Sequence, residues 1–216
     1  MKSFYKYNKV EDIANKISIF PLNGALLLPR SQLPLNIFEP RYLEMIDNSI
    51  SSDRLIGMIQ TQESNDNELY SIGCVGRITS FTELPDSRLI ITLNGICRYK
   101  IIQEFDTLTP YRQVKVSYND FEKDLIPGFN QDKADRDKLL VVLKKYLEKN
   151  NLQMDWDAIK NSPTETLVNS LCTLSPYSAE EKQALLEAEN TQKRNELLVA
   201  MTEMALSTNK GIESIQ

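Results

Sequence analysis

The chain has 216 residues, of which 41% are hydrophobic and 25% charged, and its net charge at pH 7 is −5 with no histidine. This composition is ordinary for a globular chain with a core, and no stretch reaches the roughly 20 apolar residues of a membrane-spanning helix. The absence of histidine excludes Ser-His and Cys-His catalytic pairs and most zinc sites. No basic run exceeds two residues, which argues against nucleic acid or an anionic membrane as partner. Residues 1–16 lack the apolar core of a secretory signal, so we expect a cytoplasmic protein.

The three cysteines are widely spaced within apolar segments, and no Cys-x-x-Cys pair is present. Free cysteine is commonly a small buried side chain. We therefore interpret Cys74, Cys97 and Cys172 as buried reduced thiols rather than as redox or catalytic groups.

Short apolar stretches between prolines open the patterned part of the chain. The alternation of Ile17 and Ile19 up to Pro21 predicts a first strand. Residues 26–29 and 33–35 predict two further short strands, because their prolines forbid a continuous helix.

A helix is predicted from Pro40 to about Ser49. Proline at the first helical position loses no hydrogen bond, and Leu43 and Ile46 follow at helical spacing. Phe38, just before the helix, is expected to contact Leu43 as a hydrophobic staple.

More strands are predicted in the middle of the sequence. Residues 55–60 predict a buried strand, and residues 63–68 a polar loop. Two long strands then flank a Pro-Asp turn at residues 84–86. Glycines within these strand patterns indicate the bulges or bends of a small closed barrel. These glycines are Gly73, Gly76 and Gly95.

Three segments, in this order, are similar to a known family. They are Ile37-Phe38-Glu39-Pro40-Arg41-Tyr42, then Ile72-Gly73-Cys74-Val75-Gly76-Arg77-Ile78 with the turn Leu84-Pro85-Asp86, and finally Lys182-Gln183-Ala184-Leu185-Leu186-Glu187. Together they resemble the N-terminal domain of Lon protease over about Ile17 to Leu206. That domain also occurs as a free-standing bacterial protein, and the length here fits that form. Ser87 stands where the family often has glycine.

The resemblance implies an α+β fold with two lobes. Residues 1–125 would form a PUA-like β pseudo-barrel, and residues 126–216 a helical lobe. The composition agrees, because residues 120–131 carry four charges together with Pro127 and Gly128, as is typical of a boundary.

Helical patterns dominate the sequence after that boundary. Residues 139–147 form an apolar stripe, and residues 197–205 line a final helix. Ser-x-x-Glu capping boxes are predicted at residues 162–165 and 178–181. The single tryptophan, Trp156, is expected to pack the helical lobe against the barrel or against its own neighbours.

The family resemblance implies substrate recognition without the catalytic modules of Lon. No G-x-x-x-x-G-K-[ST] phosphate loop occurs, and no residue cluster marks a Ser-Lys dyad. We therefore expect neither ATPase nor peptidase activity, no cofactor and no metal. The clustered acids are interpreted as residues of helix N-termini. These acids are Asp132, Asp135, Asp137, Asp155 and Asp157.

Glu39, Arg41 and Tyr42 are the candidate peptide-binding residues. One interpretation is a local ion pair beside a half-buried tyrosine. The other is one wall of a peptide groove, because a helix start offers N–H groups, arginine a bidentate donor and tyrosine an apolar face.

The expected partners are unfolded or partly folded protein segments, or a protease or chaperone. A peptidase-associated enzyme and an RNA-binding PUA-like protein are the alternatives. The missing catalytic modules count against the first and the acidic charge against the second. The oligomeric state stays open.

Overall fold

The computed structural model describes residues 7–62 and 65–208, which form eight β-strands and six α-helices. The strands are β1 (Lys16–Pro21), β2 (Gln32–Ile37), β3 (Leu55–Ile59), β4 (Thr61–Gln62), β5 (Asn65–Leu69), β6 (Ile72–Glu83), β7 (Leu89–Phe105) and β8 (Gln113–Ser117). The helices are α1 (Pro40–Ile50), α2 (Arg136–Lys149), α3 (Trp156–Asn161), α4 (Thr164–Leu174), α5 (Ala179–Glu187) and α6 (Thr191–Thr208). Short 3-10 helices cover Val10–Asp12, Asn119–Leu125 and Gln131–Lys133.

A barrel closes because β7, with 17 residues, is long enough to pair with different strands along its length. Its first part pairs with β2 and its last part with β8, both antiparallel. The sheet order β2-β7-β6-β3-β1-β8, together with the β7–β8 pairing, joins five strands into a ring. Strands β1 and β3 are parallel. The predicted α+β fold with a β pseudo-barrel is confirmed.

The described residues form two compact units. The barrel unit consists of the residues up to Pro127 together with Pro176–Leu186. The helical unit consists of Gly128–Ser175 and residues 187–208. The predicted lobes are residues 1–125 and 126–216. They differ from these units chiefly because residues 176–186 belong to the barrel unit.

Helix α5 joins the barrel unit through buried amide groups. The Gln60 side-chain amide donates hydrogen bonds to the Ala179 carbonyl and to Gln183 Oε1, both at 3.1 Å. The Gln183 amide donates in turn to the Ile72 carbonyl at 3.0 Å. Unpaired buried amides are costly, so these bonds hold α5 against the barrel.

Residues 26–29 are not a strand, contrary to the prediction. Their three leucines are buried, but the segment lies against β7 as irregular chain. Arg30 N donates to the Gly95 carbonyl, and Gly95 N donates to the Ser31 carbonyl. A Cβ atom on Gly95 would lie 2.0 Å from the Leu28 carbonyl oxygen, so glycine is required for this approach.

The predicted hairpin turn after β6 is confirmed. Asp86 Oδ1 accepts a hydrogen bond from Arg88 N at 3.3 Å. Ser87 adopts a φ of +65°, a left-handed conformation that favours glycine. This geometry explains why glycine suits the position that Ser87 occupies here.

The polar loop predicted at residues 63–68 is partly wrong. Residues 65–68 lie in β5, which pairs with β4 outside the main sheet. Residues 63 and 64 lie outside the described part of the chain. Strands β4 and β5 form a two-stranded sheet of their own. Such a sheet needs no alternation of apolar and polar residues, so the periodicity of the sequence did not indicate β5.

The predicted helix starts are mostly confirmed. Asp135 accepts a hydrogen bond from Lys138 N at 2.9 Å, and Asp155 caps α3. At α5, Ser178 and Glu181 exchange the two bonds of a capping box. The box predicted at residues 162–165 is wrong, because the Glu165 carboxylate instead accepts from Gly128 N.

The helical unit has its own core. Helix α6 packs against α2 and α4. The buried apolar residues of the helical unit are Leu139, Val142, Leu143, Leu147, Ile159, Leu167, Val168, Leu171, Cys172, Leu198 and Val199. Across the residues described in either unit, no helix combines the length and apolar character needed to cross a membrane.

Candidate functional site

The start of α1 holds an ion pair between neighbours. Pro40 is the first helical residue, as predicted, and Glu39 precedes it in extended conformation. The Glu39 carboxylate makes no capping bond and instead accepts from Arg41, with Nε and Nη2 at 2.9 and 2.8 Å from Oε2. Glu39 therefore orients the Arg41 side chain.

Tyr42 belongs to the core and is only 6% exposed. Its ring lies edge-on to that of Phe20, with the centroids 4.2 Å apart. The Arg41 guanidinium lies over the Tyr42 ring, 4.5 Å from the ring centroid. The tyrosine is thus more buried than the predicted half-buried side chain, while the predicted local ion pair is present.

A cleft of about 380 Å³ opens beside these residues in the barrel unit. It lies between the end of β1, the start of α1 and the segment that precedes β8. Its lining consists of Pro21, Leu22, Asn23, Arg41, Tyr42, Thr61, Pro110, Tyr111 and Arg112. Arg41 and Tyr42 line the cleft, whereas Glu39 does not.

Arg112 is a cleft residue that the sequence analysis missed. Its Nε and Nη2 donate to the two carboxylate oxygens of Glu104, both at 2.6 Å. The only hint in the sequence is that Pro110-Tyr111-Arg112 repeats the residue types of Pro40-Arg41-Tyr42. Arg41 and Tyr42 of the first triplet and all three residues of the second line the same cleft.

Burial and neighbouring charges both affect the pKa of the Tyr42 hydroxyl. Burial raises the pKa of the Tyr42 hydroxyl, the positive charges of Arg41 and Arg112 lower it, and Glu39 raises it. The net shift is upward, so Tyr42 stays neutral at physiological pH. The hydrogen bonds that Arg112 donates to Glu104 raise the pKa of Arg112, which stays charged.

Phe38, which is predicted to contact Leu43 as a hydrophobic staple, is a largely exposed side chain. Phe38 is 63% exposed and does not line the cleft. Its outward position leaves an apolar ring at the surface next to the start of α1.

The cysteines are buried, as predicted, and form no disulfide among the described residues. Burial raises the pKa of the Cys172 thiol to about 12 and that of Cys97 well above its usual range. Both stay protonated, the unreactive form of a thiol. The described chain also holds no group of three or more His, Cys, Asp or Glu that could bind a metal ion.

Residues 16–203 match the family model of the ATP-dependent protease La (LON) substrate-binding domain. The chain belongs to this family. Its Lon relatives include Lon protease 2 of Sorangium cellulosum, which is 26% identical over 205 residues. Lon protease of Parabacteroides distasonis is 26% identical over 191 residues. These matches cover 87% and 82% of this chain.

The fold is that of solved Lon N-terminal domains. A Lon N-terminal domain protein from Xanthomonas campestris superposes with a TM-score of 0.63 at 20% identity. The N-terminal domain of Mycobacterium avium complex Lon protease gives the same TM-score at 15% identity. Each comparison covers 87% of this chain and 98% of the other.

The chain spans about a quarter of the length of the curated Lon proteases that it matches. The family match leaves only short segments at each end of the 216 residues. No ATPase or peptidase domain is evident in this sequence.

Proposed function

We propose that this chain is a non-catalytic module that binds extended segments of unfolded or partly folded protein in the cleft of the barrel unit. The observation that carries the proposal is the match of residues 16–203 to a substrate-binding domain. The cleft supports it, because its volume suits a few residues of a ligand.

The lining of the cleft suits a peptide chain. Pro21, Leu22 and Pro110 offer apolar contacts, and Leu22 is 37% exposed before any ligand binds. Asn23 and Thr61 offer donors and acceptors for a peptide backbone. Such mixed linings bind peptides of varied sequence, as recognition of unfolded protein requires.

The three residues singled out in the sequence have different parts in this proposal. Arg41 contacts the peptide as a partly exposed cation. Glu39 orients Arg41 from outside the cleft, and Tyr42 forms a fixed wall. Because Tyr42 is only 6% exposed, only a small part of its side chain meets the ligand.

Several sequence features support a role without catalysis. The chain has no phosphate loop and no histidine, and two of its thiols have strongly raised pKa values. We further propose that it acts in the cytoplasm beside a protease or chaperone. Its net charge of −5 disfavours nucleic acid and anionic membranes as partners.

Binding of a permanently unfolded protein tests the proposal. The probe is fluorescently labelled α-lactalbumin, reduced and carboxamidomethylated, with native α-lactalbumin as comparison. We expect binding of the unfolded form only, and no ATP hydrolysis or cleavage. Arg41→Ala should weaken binding by about 1–3 kcal/mol if Arg41 is a central contact.

Arg88→Ala is the matched control. Arg88 pairs with Asp86 two residues away at 2.8 Å, with exposure similar to that of the Arg41–Glu39 pair, but it lies outside the cleft. This variant should bind like the wild type. Equal loss in both variants would show that general surface charge, and not the cleft, holds the unfolded chain.

A further inference from the structure

The cleft presents two cations and no carboxylate among its nine lining residues, all of which the structure describes. Arg41 and Arg112 are lining residues, whereas their ion-pair partners Glu39 and Glu104 are not. Of each ion pair, only the arginine lines the cleft.

Both arginines act on Tyr42, and all three residues line the cleft. Burial and Glu39 raise the pKa of the Tyr42 hydroxyl, whereas Arg41 and Arg112 lower it. Arg41 also covers the Tyr42 ring. Tyr42 is thus a lining residue of the cleft on which the positive charges of Arg41 and Arg112 both act.

This local charge contrasts with the whole chain, whose net charge is −5. The overall field repels anions, so an anion would be held only where local geometry overcomes that repulsion. Arginine suits this purpose, because its guanidinium has five N–H donors in a planar fork that matches a carboxylate.

We propose that the cleft binds a carboxylate of its peptide ligand between Arg41 and Arg112, beside the Tyr42 hydroxyl. The inference rests on the proposed function and names the chemistry that its ligand must carry. A chain-terminal carboxylate and an Asp or Glu side chain share this chemistry. The Glu39 and Glu104 carboxylates, which do not line the cleft, keep both guanidinium groups oriented.

Four fluorescein-labelled peptides of the same nine-residue apolar and polar sequence test the proposal on the full chain. One has a free C-terminus, the second is amidated, the third is amidated with a central Glu, and the fourth is amidated with Gln there. We expect the first or the third, or both, to bind at least about threefold more tightly than the uncharged peptides, as for a charge-assisted contact at a partly exposed site. Which of the two gains affinity identifies the source of the carboxylate.

Variants of the Arg112 ion pair separate recognition from structure. Arg112→Gln should remove the preference for the carboxylate, so that its affinities for the charged and uncharged peptides become equal. Glu104→Gln breaks the same ion pair but keeps the cation, so it should retain or increase the preference. If both variants lose the preference equally, the ion pair acts only by supporting the local fold, and the proposal is overturned.

The wild-type data alone can also contradict the inference. Equal affinity for all four peptides would leave peptide binding intact and overturn carboxylate recognition. If none of the peptides binds and unfolded α-lactalbumin does not bind, the proposed function itself fails.

Discussion

Arg98 and Asp124, 26 residues apart in the chain, form a buried bidentate ion pair with Nη2–Oδ1 and Nε–Oδ2 distances of 2.8 Å. Arg98 Nη1 also donates to the Leu186 carbonyl at 3.0 Å, and the guanidinium lies over the Phe121 ring. The pair thus joins β7, the 3-10 helix Asn119–Leu125 and α5. It holds the barrel unit together where its two chain segments meet.

Removing the carboxylate of Asp124 should strongly destabilise the fold. Asp124→Ala leaves the Arg98 charge buried without its carboxylate, which typically costs about 3–5 kcal/mol. The free energy of unfolding from urea titration measures the change. Glu39→Gln, which breaks an exposed pair, should have a much smaller effect. A loss below about 1 kcal/mol for Asp124→Ala would mean that water reaches the pair and compensates it.

The amides of Gln60 and Gln183 should behave as a coupled pair. Either single change to Leu leaves a buried partner unpaired and should cost about 1–3 kcal/mol. The double variant should lose less than the sum of the two single losses, because it removes both partners of their mutual bond. Strict additivity in a double-mutant cycle would show that the two side chains act independently.

Gly95→Ala should be far more damaging than Gly24→Ala. A methyl group at position 95 would collide with the Leu28 carbonyl, and the cost should reach roughly 3 kcal/mol, the upper end for overpacking. Gly24 has a φ of +73° but open space around it, so alanine there should cost about 1–2 kcal/mol through backbone strain alone. Thermal unfolding compares the two. Similar melting temperatures would mean that residues 26–28 can move away from β7.

Alkaline pH should destabilise the protein through its buried thiols. Burial raises the pKa of Cys172 from 9.0 to about 12 in the folded state. Between these values the unfolded state loses a proton that the folded state keeps, so the stability of the fold falls as pH rises above about 9. The loss approaches about 1.4 kcal/mol per pH unit for each such thiol. Cys172→Ala should reduce the slope of unfolding free energy against pH, and an unchanged slope would contradict this origin.

Local features of the fold could be predicted from the sequence because their causes lie within a few residues. Pro40 marks the first turn of α1, and Ser178 with Glu181 forms the capping box of α5. The Pro-Asp turn between β6 and β7 is likewise encoded by neighbours. Each of these depends on hydrogen bonds or φ preferences of adjacent residues.

Features that depend on distant partners could not be predicted in this way. Asp124 reads as one more acid of a charged linker, but its partner on β7 makes it a buried anchor. Glu165 lies in a capping-box pattern, yet its carboxylate accepts a hydrogen bond from Gly128 N. Arg112 enters the cleft only because the barrel closes between β7 and β8. A single sequence does not give the pairing of the strands, so it does not indicate which of these distant residues lie close together in the fold.

The most direct measurement of the central claim is an NMR titration of the isotope-labelled chain with an unlabelled peptide that competes with unfolded α-lactalbumin. Binding in the cleft predicts the largest amide shift changes at Leu22, Asn23, Arg41, Tyr42, Thr61, Tyr111 and Arg112. These changes should saturate together with the affinity found by competition. Largest changes within Gly128–Ser175, with the cleft amides unmoved, would contradict the account and place peptide binding on the helical unit.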